Sequence, residues 1–407
     1  MLTITRREEC CGCSACEQAC PKRCITLLPD EEGFWYPKVD HQSCIECHLC
    51  EKVCPVINQQ DERTPLEVYA AYNQEEQIRA KSSSGGIFTL VAENVIKSGG
   101  IVFGVRFDYN WNVVFSYTDS LEGLDSFRGS KYVQAELGNA FLEVEQFLKQ
   151  GKTVLFTGTP CQIAGLRSYL HHDYDNLLLM DLICEGVPSP KVWKRYLTEE
   201  VSRLCKEVYH ICENDVAIKS ISFRNKSAGW KQFAFALTLE DKQAKRDLAP
   251  YINRDSAYLQ AMFHYLDLRP ICYECPFKSC KSHSDITIAD YWGIHALHPE
   301  MDDDKGTSMV YLNTLRGKTF FPLDKTSYLK TNYEEVFGIN NIITSVRKHP
   351  HRDDFFTKVD KSKSIIKLLN HYTFPPTKEL VKKILEILLP KNNYQKLQRW
   401  IWRQRKK

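Results

Sequence analysis

Two cysteine runs at the start of the chain carry its most specific chemistry. Cys10, Cys13, Cys16 and Cys20 precede Pro21, and Cys44, Cys47, Cys50 and Cys54 precede Pro55, so CxxCxxCxxxCP occurs twice, 34 residues apart. Thiolates at this spacing wrap a compact turn around a 4Fe-4S cube, and in paired runs the fourth cysteine of each ligates the other cluster. The expected ligand sets are Cys10, Cys13, Cys16 and Cys54 for one cluster, and Cys44, Cys47, Cys50 and Cys20 for the second. CxxC pairs also suit tetrahedral zinc, but zinc explains neither the third CxxC step nor the prolines. The chemistry implied is the movement of single electrons. Cys11, Cys24, Cys205 and Cys212 fall outside the pattern and are expected to be spectators.

Residues 1–57 form this cysteine module, and the polar stretch 58–65 reads as a linker to a second domain over 66–345, followed by a distinct segment, 346–407. A chain of 407 residues has room for two or three domains, because single cores stop growing near about 250–300 residues. Hydrophobic and charged fractions of 43% and 26% are those of an ordinary folded protein. The opening MLTITRREECC lacks the apolar run of a secretory signal, and no stretch reaches the roughly 18 apolar residues of a membrane span. A cytoplasmic protein is expected, in which 17 cysteines serve as metal ligands rather than disulfides. A net charge of +3 gives no ground for a nucleic-acid partner.

In the second domain, 68–72 reads as a strand. SSSGG at 82–86 opens a helix through Phe88, Val91, Val95 and Ile96, and 101–105 resumes as a strand. A helix is expected over 137–149, then a strand at 153–157, the turn GTPC at 158–161, a helix to Leu170 and an apolar strand at 177–183. Strand, helix and strand in this order imply a parallel pair with a right-handed crossover. Cys161 and Cys184 then share the carboxyl edge of the sheet, where open α/β folds place their sites. Residues 218–223 and 233–239 alternate like an antiparallel pair. Cys272, Cys275 and Cys280 precede a strand at 285–289 and the turn 290–293. The fold class is thus mixed α+β and α/β, a small ferredoxin-like domain fused to a larger mixed-sheet domain.

The pieces SSSGGIF at 82–88, GSKYVQ at 129–134, FTGTPCQIAGLR at 156–167, MDLICEGVPSP at 180–190, CYECPFKS from 272 and SDITIADYWG to 293 resemble the coenzyme F420 hydrogenase/dehydrogenase beta-subunit family, in its form with an N-terminal ferredoxin module. The resemblance spans roughly residues 1–345 and implies a flavin enzyme, usually with FAD, that passes electrons singly to iron-sulfur clusters. It also implies a third 4Fe-4S cluster on Cys161, Cys184, Cys272 and Cys275. The bland alternative makes Cys161 and Cys184 buried small hydrophobes. Cys280 is a further thiol able to replace one of the four. Ser82, Ser83, Ser84, Gly85 and Gly86 open a helix whose free N–H groups and dipole suit the flavin pyrophosphate, or are simply an N-cap with glycines. Lys131 and Gln134 are candidates for phosphate or flavin-ring contact, with a solvated charge as the alternative. Thr157, Gly158 and Thr159 offer backbone donors at the sheet edge, or are just a turn. His283, Asp285 and Asp290 border the CxxC segment, and a turn role suits Asp290 equally well.

The expected function is an iron-sulfur flavoprotein oxidoreductase. It moves electrons between a two-electron partner at FAD, F420-like or another hydride carrier or substrate, and one-electron carriers such as ferredoxin or another subunit. A flavin-free relay subunit of a larger complex is the alternative. At the C-terminus, Val381, Ile384, Leu385, Leu388 and Leu389 make an apolar helical face. After Pro390 come seven basic residues, no acidic ones and two tryptophans, a composition compatible with peripheral membrane contact or with docking on a partner.

Overall fold

The computed structural model describes residues 3–337 and 344–374, with only the backbone of residue 337. The apolar face at 381–389 and the basic tail lie outside the described residues. Two short strands, β1 (Ile25–Pro29) and β2 (Trp35–Val39), pair as a hairpin. Two single-turn helices, α1 (Ala15–Gln18) and α2 (Leu49–Lys52), follow the CxxCxx steps of the two cysteine runs. The runs fold alike. Gly12 and Glu46 have φ of +71° and +54°, and Ser14 and His48, which cap the two helices, have φ of +59° and +57°.

The main body is a mixed sheet of eight strands. These are β3 (Glu67–Asn73), β4 (Ile101–Phe107), β5 (Val113–Thr118), β6 (Val154–Gly158), β7 (Leu177–Leu182) and, after an intervening small sheet, β12 (Ile286–Asp290), β13 (Ser308–Leu312) and β14 (Thr326–Thr331). Their order is β14-β3-β13-β12-β7-β6-β4-β5. Strands β4, β6, β7 and β12 are parallel, and antiparallel strands flank them on both sides. The small sheet is built on the pair β8 (Val216–Asn225) and β9 (Ala234–Asp241), joined by β10 (Arg246–Asp247) and β11 (Tyr251–Asn253).

Period-2 alternation in the parallel strands explains the two cores. Phe103, Val154, Phe156, Leu177 and Leu179 bury one face under Phe141 and Val144 of the helix Ala140–Lys149 and Ile163 and Leu166 of the helix Pro160–Leu170. Val102, Leu155, Leu178 and Met180 bury the other face under Ile87, Val91 and Val95 of the helix Ile87–Lys97. A strand covered on both faces must be apolar throughout, as LLLM of β7 is. The crossover expected between 153 and 183 forms as a parallel pair, β6 to β7, through the helix Pro160–Leu170. The helix expected from 137 starts at Ala140, behind the N-cap Asn139.

The cysteine module shares a core with the main body. Ala15 and Val53 are fully buried in one cluster with Phe141, Leu166, Ile271 and Phe277. The helices Arg352–Val359 and Ile365–Thr373 also belong to the body, with Phe355, Val359, Ile365 and Leu369 buried beside Trp193, Tyr196 and Tyr258.

Candidate functional site

Three cavities are walled by thiols. The first is lined by Cys10, Cys13, Cys16 and Cys54, and the second by Cys20, Cys44, Cys47 and Cys50. Each thus takes three cysteines from one run and the last cysteine of the other. The repeated turns aim backbone donors at equivalent sulfurs: Gly12 N donates to Cys10 Sγ at 3.4 Å, and Glu46 N to Cys44 Sγ at 3.4 Å. Amide donors to ligating sulfur are one of the levers that set a cluster's potential. Cys24 stands beside the second cavity, its Sγ 3.4 Å from that of Cys20. Cys47 is exposed, so the second cavity lies at the surface.

The third cavity brings together Cys161, Cys184, Cys272 and Cys275 from three separate parts of the chain, with Cys11, Cys280, Arg269 and Lys278 also in its wall. Thr159 caps the helix Pro160–Leu170. Its N–H donates to Gln162 Oε1 at 2.8 Å, its Oγ1 lies 3.2 Å from Cys161 Sγ, and Pro160 occupies the first turn. Cys184 directly follows β7 and its neighbour Ile183, and its carbonyl accepts from Lys278 Nζ at 2.7 Å. Cys272 and Cys275 lie at the single-turn segment Pro270–Glu274. Burial pushes the Cys272 thiol up to about 12 and that of Cys275 to about 11. Cys161 is held below its ordinary value, chiefly by a hydrogen bond from Cys11. Cys11 also bonds Cys13, so this expected spectator stands in the wall between the first and third cavities. Among the described residues no three His, Cys, Asp or Glu side chains converge on a single-ion site. The thiols face one another across a space instead, and an all-thiol donor set suits an iron-sulfur cluster.

The serine-glycine turn lies elsewhere, between β3 and the helix Ile87–Lys97. Its polar groups are engaged: Ser83 Oγ accepts from Ser130 N at 2.7 Å, Ser84 Oγ donates to the Thr307 carbonyl at 2.9 Å, and Gly85 N donates to Ser308 Oγ at 3.0 Å. Gly85 is glycine for packing, because a Cβ there would lie 2.5 Å from the Ala71 carbonyl. Gly86 caps the helix with a φ of +80°. What fits an anion here is the charge around the turn. Lys131 Nζ has carbonyl partners, at 3.2 Å from both Arg128 and Gly129, and burial lowers its ammonium to about 8. Lys226 Nζ donates to the carbonyls of Arg79 at 2.7 Å and Ser84 at 3.3 Å. Burial, with Arg79 and Arg224 nearby, lowers it to about 8 as well. Arg224 donates to the Ser83 carbonyl at 3.3 Å and the Tyr132 hydroxyl at 3.1 Å, pairs with Asp290 at 2.7 Å, and lies 3.8 Å over the Phe233 ring. Lys131 and Lys226 are half-buried with carbonyl rather than carboxylate partners, an arrangement that a phosphate group would favour.

The remaining expected residues fall in other places. Gln134 is buried under the first cysteine run, where its Oε1 accepts from Arg269 Nη1 at 3.3 Å. Thr157 Oγ1 donates to the Phe103 carbonyl at 2.8 Å, and Gly158 ends β6 beside Gln162. Asp285 accepts from Leu179 N at 2.9 Å and Thr314 Oγ1 at 2.6 Å, tying β7 to the start of the helix Leu315–Phe320. His283 Nε2 sits 2.9 Å from the Asp61 carbonyl. Asp290 serves Arg224 and the Trp230 indole, which stacks on Trp292 at 4.6 Å. Arg224, Lys226 and Arg269 were not singled out from the sequence, and Cys11 was expected to be a spectator. An arginine three residues before CxxC was the one available hint, and it carries no specificity.

Residues 9–58 match a 4Fe-4S dicluster domain. Residues 68–141 match the N-terminal part, and 151–335 the C-terminal part, of the coenzyme F420 hydrogenase/dehydrogenase beta subunit. The chain belongs to that beta-subunit family. Beta subunits of this family are components of hydrogenases and dehydrogenases, so the chain is an oxidoreductase component with iron-sulfur electron transfer in its N-terminal module. Among solved structures, a chain of the F420-reducing NiFe hydrogenase complex from Methanosarcina barkeri aligns with 76% of this chain and 92% of its own, at 16% identity and a TM-score of 0.42. No curated protein matches. No helix among the described residues is long and apolar enough to cross a membrane.

Proposed function

We propose that this beta-subunit relative is a flavin-dependent oxidoreductase that exchanges a hydride equivalent with a carrier of the F420 type, or another hydride partner, and electrons singly with a ferredoxin or a companion subunit. The observation that carries the reading is the third thiol cavity, joined through Cys11 to the first. Cys161, Cys184, Cys272 and Cys275 would hold a third 4Fe-4S cluster there. FAD, when bound, supplies the conversion between a two-electron hydride and single electrons. Lys131, Lys226 and Arg224 would meet its pyrophosphate or its negatively charged reduced ring, and the turn from Ser83 to Gly86 would frame it. Thr159 caps the helix that bears Cys161, and Thr157 and Gly158 end the strand that leads into it, which fixes that thiol relative to the sheet edge. The exposed Cys47 side of the second cavity would face the one-electron partner.

The test is an anaerobic titration with reduced F420, followed by absorbance. The expected result is bleaching of a flavin band together with the broad iron-sulfur absorbance. Bleaching with dithionite but with no hydride donor, from protein that releases no flavin, would instead establish the flavin-free relay.

A further inference from the structure

Arg269 is a cation sealed inside the protein. Its side chain is fully buried, and the groups that favour its charge most are the thiols of Cys10, Cys11 and Cys272 and the Tyr36 phenol rather than any carboxylate. Its Nε donates to the Cys10 carbonyl at 2.8 Å, Nη1 to Gln134 Oε1 at 3.3 Å and Nη2 to the Trp35 carbonyl at 3.0 Å. The guanidinium lies 4.2 Å from the centre of the Tyr36 ring. The chain makes room for it: Gly12 has a φ of +71°, and a Cβ there would stand 3.0 Å from Nη1 and 2.6 Å from the Gln134 amide nitrogen. Arg269 also lines the third cavity, and the Cys272 thiol is among the groups that favour its charge, so the residue stands between the first cysteine run and Cys272.

A lone buried cation is strongly unfavourable unless negative charge accompanies it. Thiolate-ligated clusters carry that charge, and each gains one more unit when it takes up one electron, with no bond made or broken. We propose that Arg269 is a positioning residue that raises the reduction potentials of the two inner clusters, on Cys10/13/16/54 and Cys161/184/272/275, while leaving the outer cluster on Cys20/44/47/50 unaffected. This rests on the reading that both inner thiol cavities hold clusters. Arg269 bonds the Cys10 carbonyl of the first run and lines the third cavity, whereas it neither bonds nor lines the residues that wall the outer one, so its charge acts chiefly on the inner pair.

The experiment is a redox titration of anaerobic Arg269→Gln and Arg269→Lys proteins, monitored by electron paramagnetic resonance so that each cluster is followed separately. In Arg269→Gln the reduced-to-oxidised ratio of the inner clusters at a fixed potential should fall about tenfold, or about 59 mV for a one-electron couple. The outer cluster should stay in place, and Arg269→Lys should recover most of the shift. Inner potentials unchanged at full iron content, or an equal shift of all clusters, would overturn the proposal. If Arg269→Gln loses iron, Arg269→Lys decides. Retained iron with potentials near the parent's supports a charge role, whereas lost iron or a full shift overturns it. The parent's iron count tests the underlying reading separately. A parent with only two clusters would remove the third site and still leave the Cys10-side cluster to be measured.

Discussion

Asp267 is fully buried, and neither of its carboxyl oxygens has a hydrogen-bond partner in the protein. Burial pushes it up to about 7, against smaller opposing pulls from its own backbone amide and from Arg352. An acid with a raised folded-state value stabilises the fold below its unfolded value of about 3.9 and loses that contribution as pH rises through about 7. Asp267→Asn removes the loss. Its melting temperature should exceed the parent's by a few degrees at pH 8 and by less at pH 5.5, measured anaerobically on the cluster-loaded protein. An equal difference at both pH values would contradict the sign. This carboxyl, like Arg269 and Arg224, was invisible in the sequence because the groups that define its surroundings are distant in the chain. The ferredoxin-type cysteines were legible because CxxC spacing is local and the turns at Gly12 and Glu46 repeat it. Ser83–Gly86 was legible as a helix start, but its glycines answer to packing on β3 and β13, which no local signal reports.

Among elements, the hairpin β1–β2 decides how the cysteine module is held. Its loop carries Glu32, buried and paired with Arg352 at 2.5 Å and Arg7 at 2.9 Å, while Ser189 Oγ donates to the Glu32 carbonyl at 2.5 Å. Removing one partner of a buried pair strands the other, at a cost of about 3–5 kcal/mol. Glu32→Gln should therefore lower the melting temperature and expose residues 58–66 to limited proteolysis. Unchanged melting and cleavage would show that the pair does not dock the module. Strands β4, β6 and β7 could be read from sequence because apolar runs alternate there with helical stretches, whereas β5 (Val113–Thr118), half-buried at the sheet edge, was not expected. The other antiparallel edge could not be read, because β3 finds its partners β13 and β14 more than 200 residues away, and strand pairing at that range leaves no periodic trace.

At the scale of the molecule, the polar stretch at 58–65 reads as a linker between two domains, and Ala15 and Val53 of the cysteine module sit in one core with Phe141, Leu166 and Ile271. That shared core places the three thiol cavities in series. The exposed second cavity leads to the first, and the first meets the third at Cys11. A fixed series suits electron transfer between fixed centres better than a tethered shuttle would. The central claim is that this series ends in a third cluster beside a flavin. The direct measurement is the iron, sulfide and flavin content of anaerobically purified protein, with Cys184→Ala alongside. The account predicts about twelve irons and one FAD, falling to about eight irons in the variant. About eight irons without flavin, unchanged by the substitution, would contradict it.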